Sequence, residues 1–145
     1  MNSSNGSNEV AQENPNFKFS AETTFEELRQ MADKFVEDRD WNQYHSPRNL
    51  LLAMVGEVGE LAEIFQWRGE VKEGLPNFSE KDKTHVAQEL SDVLIYLVRL
   101  AQKCHVDLPL AAKEKMALNE QKYPAERVRG SSKKYSEYSE SGERK

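Results

Sequence analysis

An all-α fold is predicted for this 145-residue sequence by three observations. Apolar residues recur at three- and four-residue spacing over long stretches. Helix-start signals precede each stretch. The strict apolar–polar alternation of half-buried strands is missing. The expected architecture is a four-helix subunit that packs into an oligomeric helical bundle.

The first helix follows Thr24, where "TFEE" supplies a capping box with Glu27. Phe25, Leu28, Met31, Ala32, Phe35 and Val36 form its stripe, and it is expected to end near Asp40. The stretch from Trp41 to His45 reads as a loop. Ser46 caps the second helix and Pro47 suits its first turn. That helix runs to about Arg68, with Gly69 as its stop. The loop "GEVKEGLPNF" leads to a third helix that opens at "SEKD" and reaches about Cys104. A fourth begins with Asp107 as cap and ends by Pro124. The polar segments 1–19 and 130–145 are expected to be disordered tails, with one domain over 20–129.

Composition narrows the function classes. A net charge of -5 disfavours binding to a nucleic-acid polymer, which wants a basic face. It also disfavours an anionic substrate unless metal ions intervene. The single cysteine, Cys104, excludes an intramolecular disulfide framework, and its apolar helical face predicts a reduced core residue. The start "MNSSNGSNEV" has neither the basic nor the apolar region of a signal peptide. No apolar run approaches the ~20 residues of a membrane span, so the expected compartment is the cytoplasm, with no membrane partner. Helices two and three are apolar around much of their circumference, more than four helices in one small subunit can cover. Identical subunits are the expected remedy.

Charge interrupts those apolar stripes. In "GEVGELAEIFQW", Glu57 shares a helical face with Leu50, Leu61 and Ile64, which stand seven before, four after and seven after it. Glu60 lies at the edge of the same stripe. In "QELSDVLIYL", Glu89 and Asp92 stand three apart on a face with His85 and Tyr96. Two helices that pack together would therefore gather four carboxylates. A solvated acidic edge, or pairing with lysines, is one reading; a metal site is the other. If metal binds, the all-oxygen donor set suits Mg²⁺ or Mn²⁺ better than Zn²⁺, and a di-iron bundle would want Glu-x-x-His. His85 is read as a structural partner of Glu89, and His105 as a helix-end residue.

At these residues the sequence resembles a known family. "EVGELAE" followed by "ELSDVLIYLV" is similar to the all-α nucleoside triphosphate pyrophosphatases of the MazG and dimeric dUTPase superfamily. "RDWNQYHSPRNLLLAMVGEVGELAEIFQW" and "CHVDLP" resemble its dCTP pyrophosphatase branch. The likeness covers about Phe17 to Lys134. It implies hydrolysis of dCTP, or a modified dCTP, to dCMP and pyrophosphate, clearing the nucleotide pool. It implies Mg²⁺ (or Mn²⁺) held by Glu57, Glu60, Glu89 and Asp92, with Glu57 or Glu60 as the catalytic base. Lys115, Asn119 and Lys122, aligned on helix four, would contact phosphate or the metal's shell. Trp41, His45 and Trp67 would form the base pocket. Tyr96 would join them or support Glu89, and Arg48 and Asn49 would reach sugar or phosphate. A homotetramer, as a dimer of dimers, is the expected assembly. Two other functions compete: a related pyrophosphatase with dUTP or broad preference, and a non-enzymatic helical interaction module.

Overall fold

The capping signals set where the helices begin. In the computed structural model, which describes residues 17–131, the Thr24 hydroxyl accepts from the Glu27 N–H at 3.1 Å. The Glu27 carboxylate accepts from the Thr24 N–H at 2.6 Å, and α1 (Phe25–Glu37) follows. Ser46 accepts from the Asn49 N–H ahead of α2 (Pro47–Phe65). Ser79 and Asp82 form a second capping box that starts α3 (Glu80–Lys103). Asp107 accepts from the Leu110 N–H at the start of α4 (Leu108–Lys122), and a short α5 (Ala125–Val128) comes after it. No strand occurs among the described residues, and no helix there is long and apolar enough to cross a membrane.

The ends of α1 and α2 depart from the sequence expectation, whereas α3 and α4 end where expected. α1 stops at Glu37 rather than near Asp40, because Asp38 caps it and Asp40 turns left-handed at φ 52°. The next residues are then not an open loop but a 3-10 turn, Trp41–Tyr44. Asn49 Nδ2 holds that turn to the start of α2 by donating to the Tyr44 carbonyl at 2.9 Å. α2 ends at Phe65, short of Arg68. The Arg68 guanidinium lies over the Phe78 ring and pairs with Asp82 at 3.0 Å, drawing the chain off the helix axis toward the foot of α3. Cys104 is exposed, not a core residue: it is the C-cap of α3, where the apolar face runs out. The short α5 is a further element that no start signal in the sequence announced.

The described chain divides into two compact units, one ending at Cys104 and the other beginning at His105. In the first, α2 packs along α3, and α1 covers a further stretch of α3. Its core is small: Val36, Leu50, Phe78, Val86, Val98 and Ala101 are buried. Leu51, Leu52, Val55 and Val58 of α2 remain exposed, as do Leu90 and Leu97 of α3. The second unit holds α4 and α5. The expected tails lie outside the described residues except at their inner edges, 17–19 and 130–131.

Candidate active site

Glu57 and Glu60 stand one turn apart on α2; Glu89 and Asp92 stand one turn apart on α3. Because those two helices pack together, carboxylate oxygens of Glu57, Glu60 and Glu89 come within 4.8 Å of one another. Glu89 is only 8% exposed. His85 Nε2 reaches one of its oxygens at 3.1 Å, the structural role expected of that histidine. Among the described residues, no lysine or arginine pairs with any of the four carboxylates. Burial pushes the Glu57 carboxyl above the usual glutamate range, and the nearby charges of Glu60, Asp92 and Glu89 push the same way. Negative charge is thus gathered without a counter-charge.

That arrangement fits a hard divalent ion. All donors are oxygen. An octahedral ion with bonds of 2.0–2.1 Å spans about 4.2 Å between opposite ligands, a small inward movement for flexible glutamates. A cation there would supply the positive charge that no described lysine or arginine brings to the four carboxylates.

Beside the cluster opens a cleft of about 460 Å³, within the range of small-molecule sites. Leu28, Met31, Ala32 and Phe35 of α1 form one wall. Trp41 and His45 flank the 3-10 turn's side, and α3 contributes Asp92, Ile95, Tyr96 and Arg99. Asp92 is not one of the three carboxylates within 4.8 Å of one another, but its charge reaches Glu57, so Asp92 and Tyr96 lie where the acidic cluster meets an apolar, aromatic chamber. Trp41 packs edge-on against Phe35, with ring centroids 5.9 Å apart. Burial lowers the proton affinity of His45, and the charges of Arg99 and Lys103 add to the effect, so the imidazole stays neutral. Burial raises the Tyr96 phenol, with Glu57 and Asp92 contributing. Tyr96 remains a neutral hydrogen-bonding group between the two halves of the site.

Other candidates lie elsewhere. Arg48 and Asn49 are exposed in the first turn of α2, and the Asn49 amide is engaged with Tyr44. Trp67, beyond the end of α2, is 86% exposed and does not line the cleft. Lys115, Asn119 and Lys122 fall in the second unit, on one face of α4. The α1 wall is absent from the sequence reading, because Leu28, Met31 and Phe35 have the same helical spacing whether they line a core or a ligand. Arg99 was also missed. Its one signal is a guanidinium inside the apolar run of α3.

Comparison with known proteins places the chain among relatives of one family. The profile of the MazG-like family matches residues 53–138. The dCTP pyrophosphatase 1 of Homo sapiens is 54% identical over 121 residues, which span 83% of this chain and 71% of that protein. The dCTP pyrophosphatase 1 of Bos taurus is 50% identical over 121 residues, spanning 83% of this chain and 72% of that one. Among solved structures, a pyrophosphatase from Archaeoglobus fulgidus superposes with a TM-score of 0.60 at 38% identity, covering 74% of this chain and 99% of that chain.

Proposed function

The chain belongs to the MazG-like family, and from that membership we propose that it hydrolyses dCTP, or a dCTP modified on its base, to dCMP and pyrophosphate. The observation that carries the reading is the shared boundary at Asp92 and Tyr96. On one side lies an all-oxygen acidic cluster, on the other a cleft with the size and aromatic lining a base needs. A triphosphate bears about four negative charges, so an acidic wall can receive it only through cations. Glu57, Glu60, Glu89 and Asp92 are the residues to hold Mg²⁺, or Mn²⁺. When bound, the ion neutralises phosphate charge and acidifies a water molecule.

The protein's own groups divide the remaining work. Trp41 stacks on the base and Phe35 backs it. His45, kept neutral, and Tyr96 offer hydrogen bonds at the edge of the chamber. Water adds across the α–β phosphoanhydride: one P–O bond forms, one breaks, and the water's proton goes to a carboxylate. Glu57 or Glu60 is the carboxylate assigned to accept it. Lys115, Asn119 and Lys122 are assigned to phosphate contacts, Arg48 and Asn49 to sugar or phosphate, and Trp67 to the base. The protein is proposed to work in the cytoplasm as a homotetramer, a dimer of dimers. The uncovered Leu51, Val55 and Val58 support association.

The test is turnover of a panel of deoxynucleoside and ribonucleoside triphosphates with Mg²⁺, the products separated. The expected result is dCMP and pyrophosphate, with dCTP or a 5-substituted dCTP leading the panel. Release of orthophosphate, or no turnover of any triphosphate, would overturn the proposal. A lead by dUTP would move the chain to another branch of the family.

A further inference from the structure

Arg99 is 2% exposed, yet it lines the nucleotide cleft. It stands one turn beyond Tyr96 and two beyond Asp92 on α3, so the three share one helical face. Its Nη1 donates to the Asp33 carboxylate of α1 and, at 2.7 Å, to Gln102 on its own helix. Its Nη2 donates to Asn42 Oδ1 in the 3-10 turn. Lys103 Nζ donates to the same oxygen at 3.0 Å. Asn42 lies between Trp41 and His45 in the chain, and both of those line the cleft. One guanidinium thus joins the elements that bear the cleft's three walls.

A buried ion pair is a weak device for stability alone. Apolar residues of similar volume usually serve as well or better. Here Arg99 Nε is also buried without a partner, a further cost. The return is geometric. The turn enters from a left-handed Asp40, where Gln43 Nε2 donates to the Asp40 carbonyl and Trp41 meets the Phe35 ring edge-on. A planar fork with fixed donors is what can fix its other side against both helices.

We propose that Arg99 is a positioning residue for the nucleotide: it pins the Trp41–His45 turn to α1 and α3 through Asn42 and Asp33, and so presets the wall against which the base stacks. The proposal rests on the nucleotide reading of the cleft. Arg99 does not touch the carboxylate cluster, so loosening the turn weakens binding of substrate and transition state alike. The penalty then falls on KM and spares kcat.

The experiment compares Asn42→Ala, Arg99→Lys and Arg99→Met with the unaltered enzyme, using dCTP and Mg²⁺. Asn42 is exposed, so its variant folds even if an Arg99 variant does not. Loss of the charge-assisted hydrogen bonds that Arg99 and Lys103 make to Asn42 Oδ1 predicts a KM about 5–10-fold higher for Asn42→Ala, with kcat within about twofold. Arg99→Lys keeps the charge but not the fork and should show a similar KM. Adding Asn42→Ala to Arg99→Met should raise KM by clearly less than the product of the two single effects, since only the Lys103 bond to Asn42 is left to lose. A second readout needs no turnover: acrylamide quenching of Trp41 fluorescence in a Trp67→Phe background, where both the Asn42 and Arg99 variants should quench more readily. Unchanged KM and unchanged quenching, with only a lower melting temperature, would overturn the proposal and leave Arg99 as a fold stabiliser. If the unaltered enzyme turns over no triphosphate, the nucleotide reading falls. The quenching alone then decides whether Arg99 holds the turn.

Discussion

Glu57 shows how a residue can oppose the fold that carries it. It sits half-buried beside Leu61 and Ile64, facing three other carboxylates. Glu57→Gln keeps the shape and removes the charge. The metal-free variant should therefore melt at the same temperature or higher, while the stabilisation conferred by Mg²⁺ should largely vanish. Turnover should fall at least ~100-fold, the scale of a lost charge anchor in a metal-bridged transition state. The pH dependence has a definite sign. A raised folded pKa means that the folded protein binds the proton more tightly than the unfolded chain. Metal-free stability tied to Glu57 therefore rises as pH falls from neutral toward the ordinary value of 4.5, and the gap between the two proteins closes. Asp33 and Asp82 pull the opposite way. Burial raises Asp33, but its hydrogen bonds from Arg99 and Gln102 outweigh that, and Ser79 and Arg68 lower Asp82. Both groups are common to the parent protein and the Glu57→Gln variant, so the difference between the two, melted in EDTA across pH, isolates the effect of Glu57. Trp41 makes the complementary case, since it is 43% exposed and meets Phe35 only at a ring edge. Trp41→Ala should weaken nucleotide binding about 10-fold, by the loss of ~1–3 kcal/mol of stacking, with little change in melting temperature. A steep thermal loss without nucleotide would make Trp41 a core residue.

At the scale of the element, the starts of α1 to α4 and the ends of α3 and α4 were legible, and the ends of α1 and α2 were not. Thr24, Ser46, Ser79 and Asp107 each accept a backbone N–H, so local chemistry alone predicts those starts. The end of α2, and the placing of the 3-10 turn that follows α1, depend on partners distant in the chain. Arg68 finds Asp82 and Phe78; Arg99 finds Asn42, 57 positions away. No local pattern announces such contacts. For the same reason the carboxylate face was readable from i, i+3 spacing, while the α1 wall of the cleft was indistinguishable from core. The local part makes a prediction of its own. Ser79→Ala removes the cap of α3 and should cost about 1 kcal/mol, read as a lower denaturation midpoint with unchanged slope. Turnover per folded molecule should stay the same, because Glu89 lies well inside the helix, ten positions on. A drop in turnover at full folding would mean that the first turn of α3 reaches the site.

At the scale of the molecule, the question is what covers the outer face of the helix pair. Leu51, Val55 and Val58 recur at four- and three-residue spacing on α2 and are exposed, though α2 packs along α3 on another face. Leu90 and Leu97 repeat the pattern, two turns apart, on α3. Scattered apolar residues on a surface are ordinary; two aligned stripes on neighbouring helices are what the proposed association would cover. The proposed tetramer predicts a light-scattering mass about four times 16.7 kDa at micromolar concentration. Val55→Asp puts a charge into one stripe without touching the carboxylates, which face elsewhere on the helix. In an isolated subunit that position is solvated, and the substitution should cost under about 0.5 kcal/mol. In an assembly it buries an unpaired charge, so the variant should dissociate and melt lower than the parent protein. Its turnover should fall with its mass, because the α2–α3 pair that gathers Glu57, Glu60 and Glu89 is then braced on one side only. Parent protein that scatters as a stable 16.7 kDa monomer, with Val55→Asp equally active, would mean that a single subunit sustains both the fold and the site.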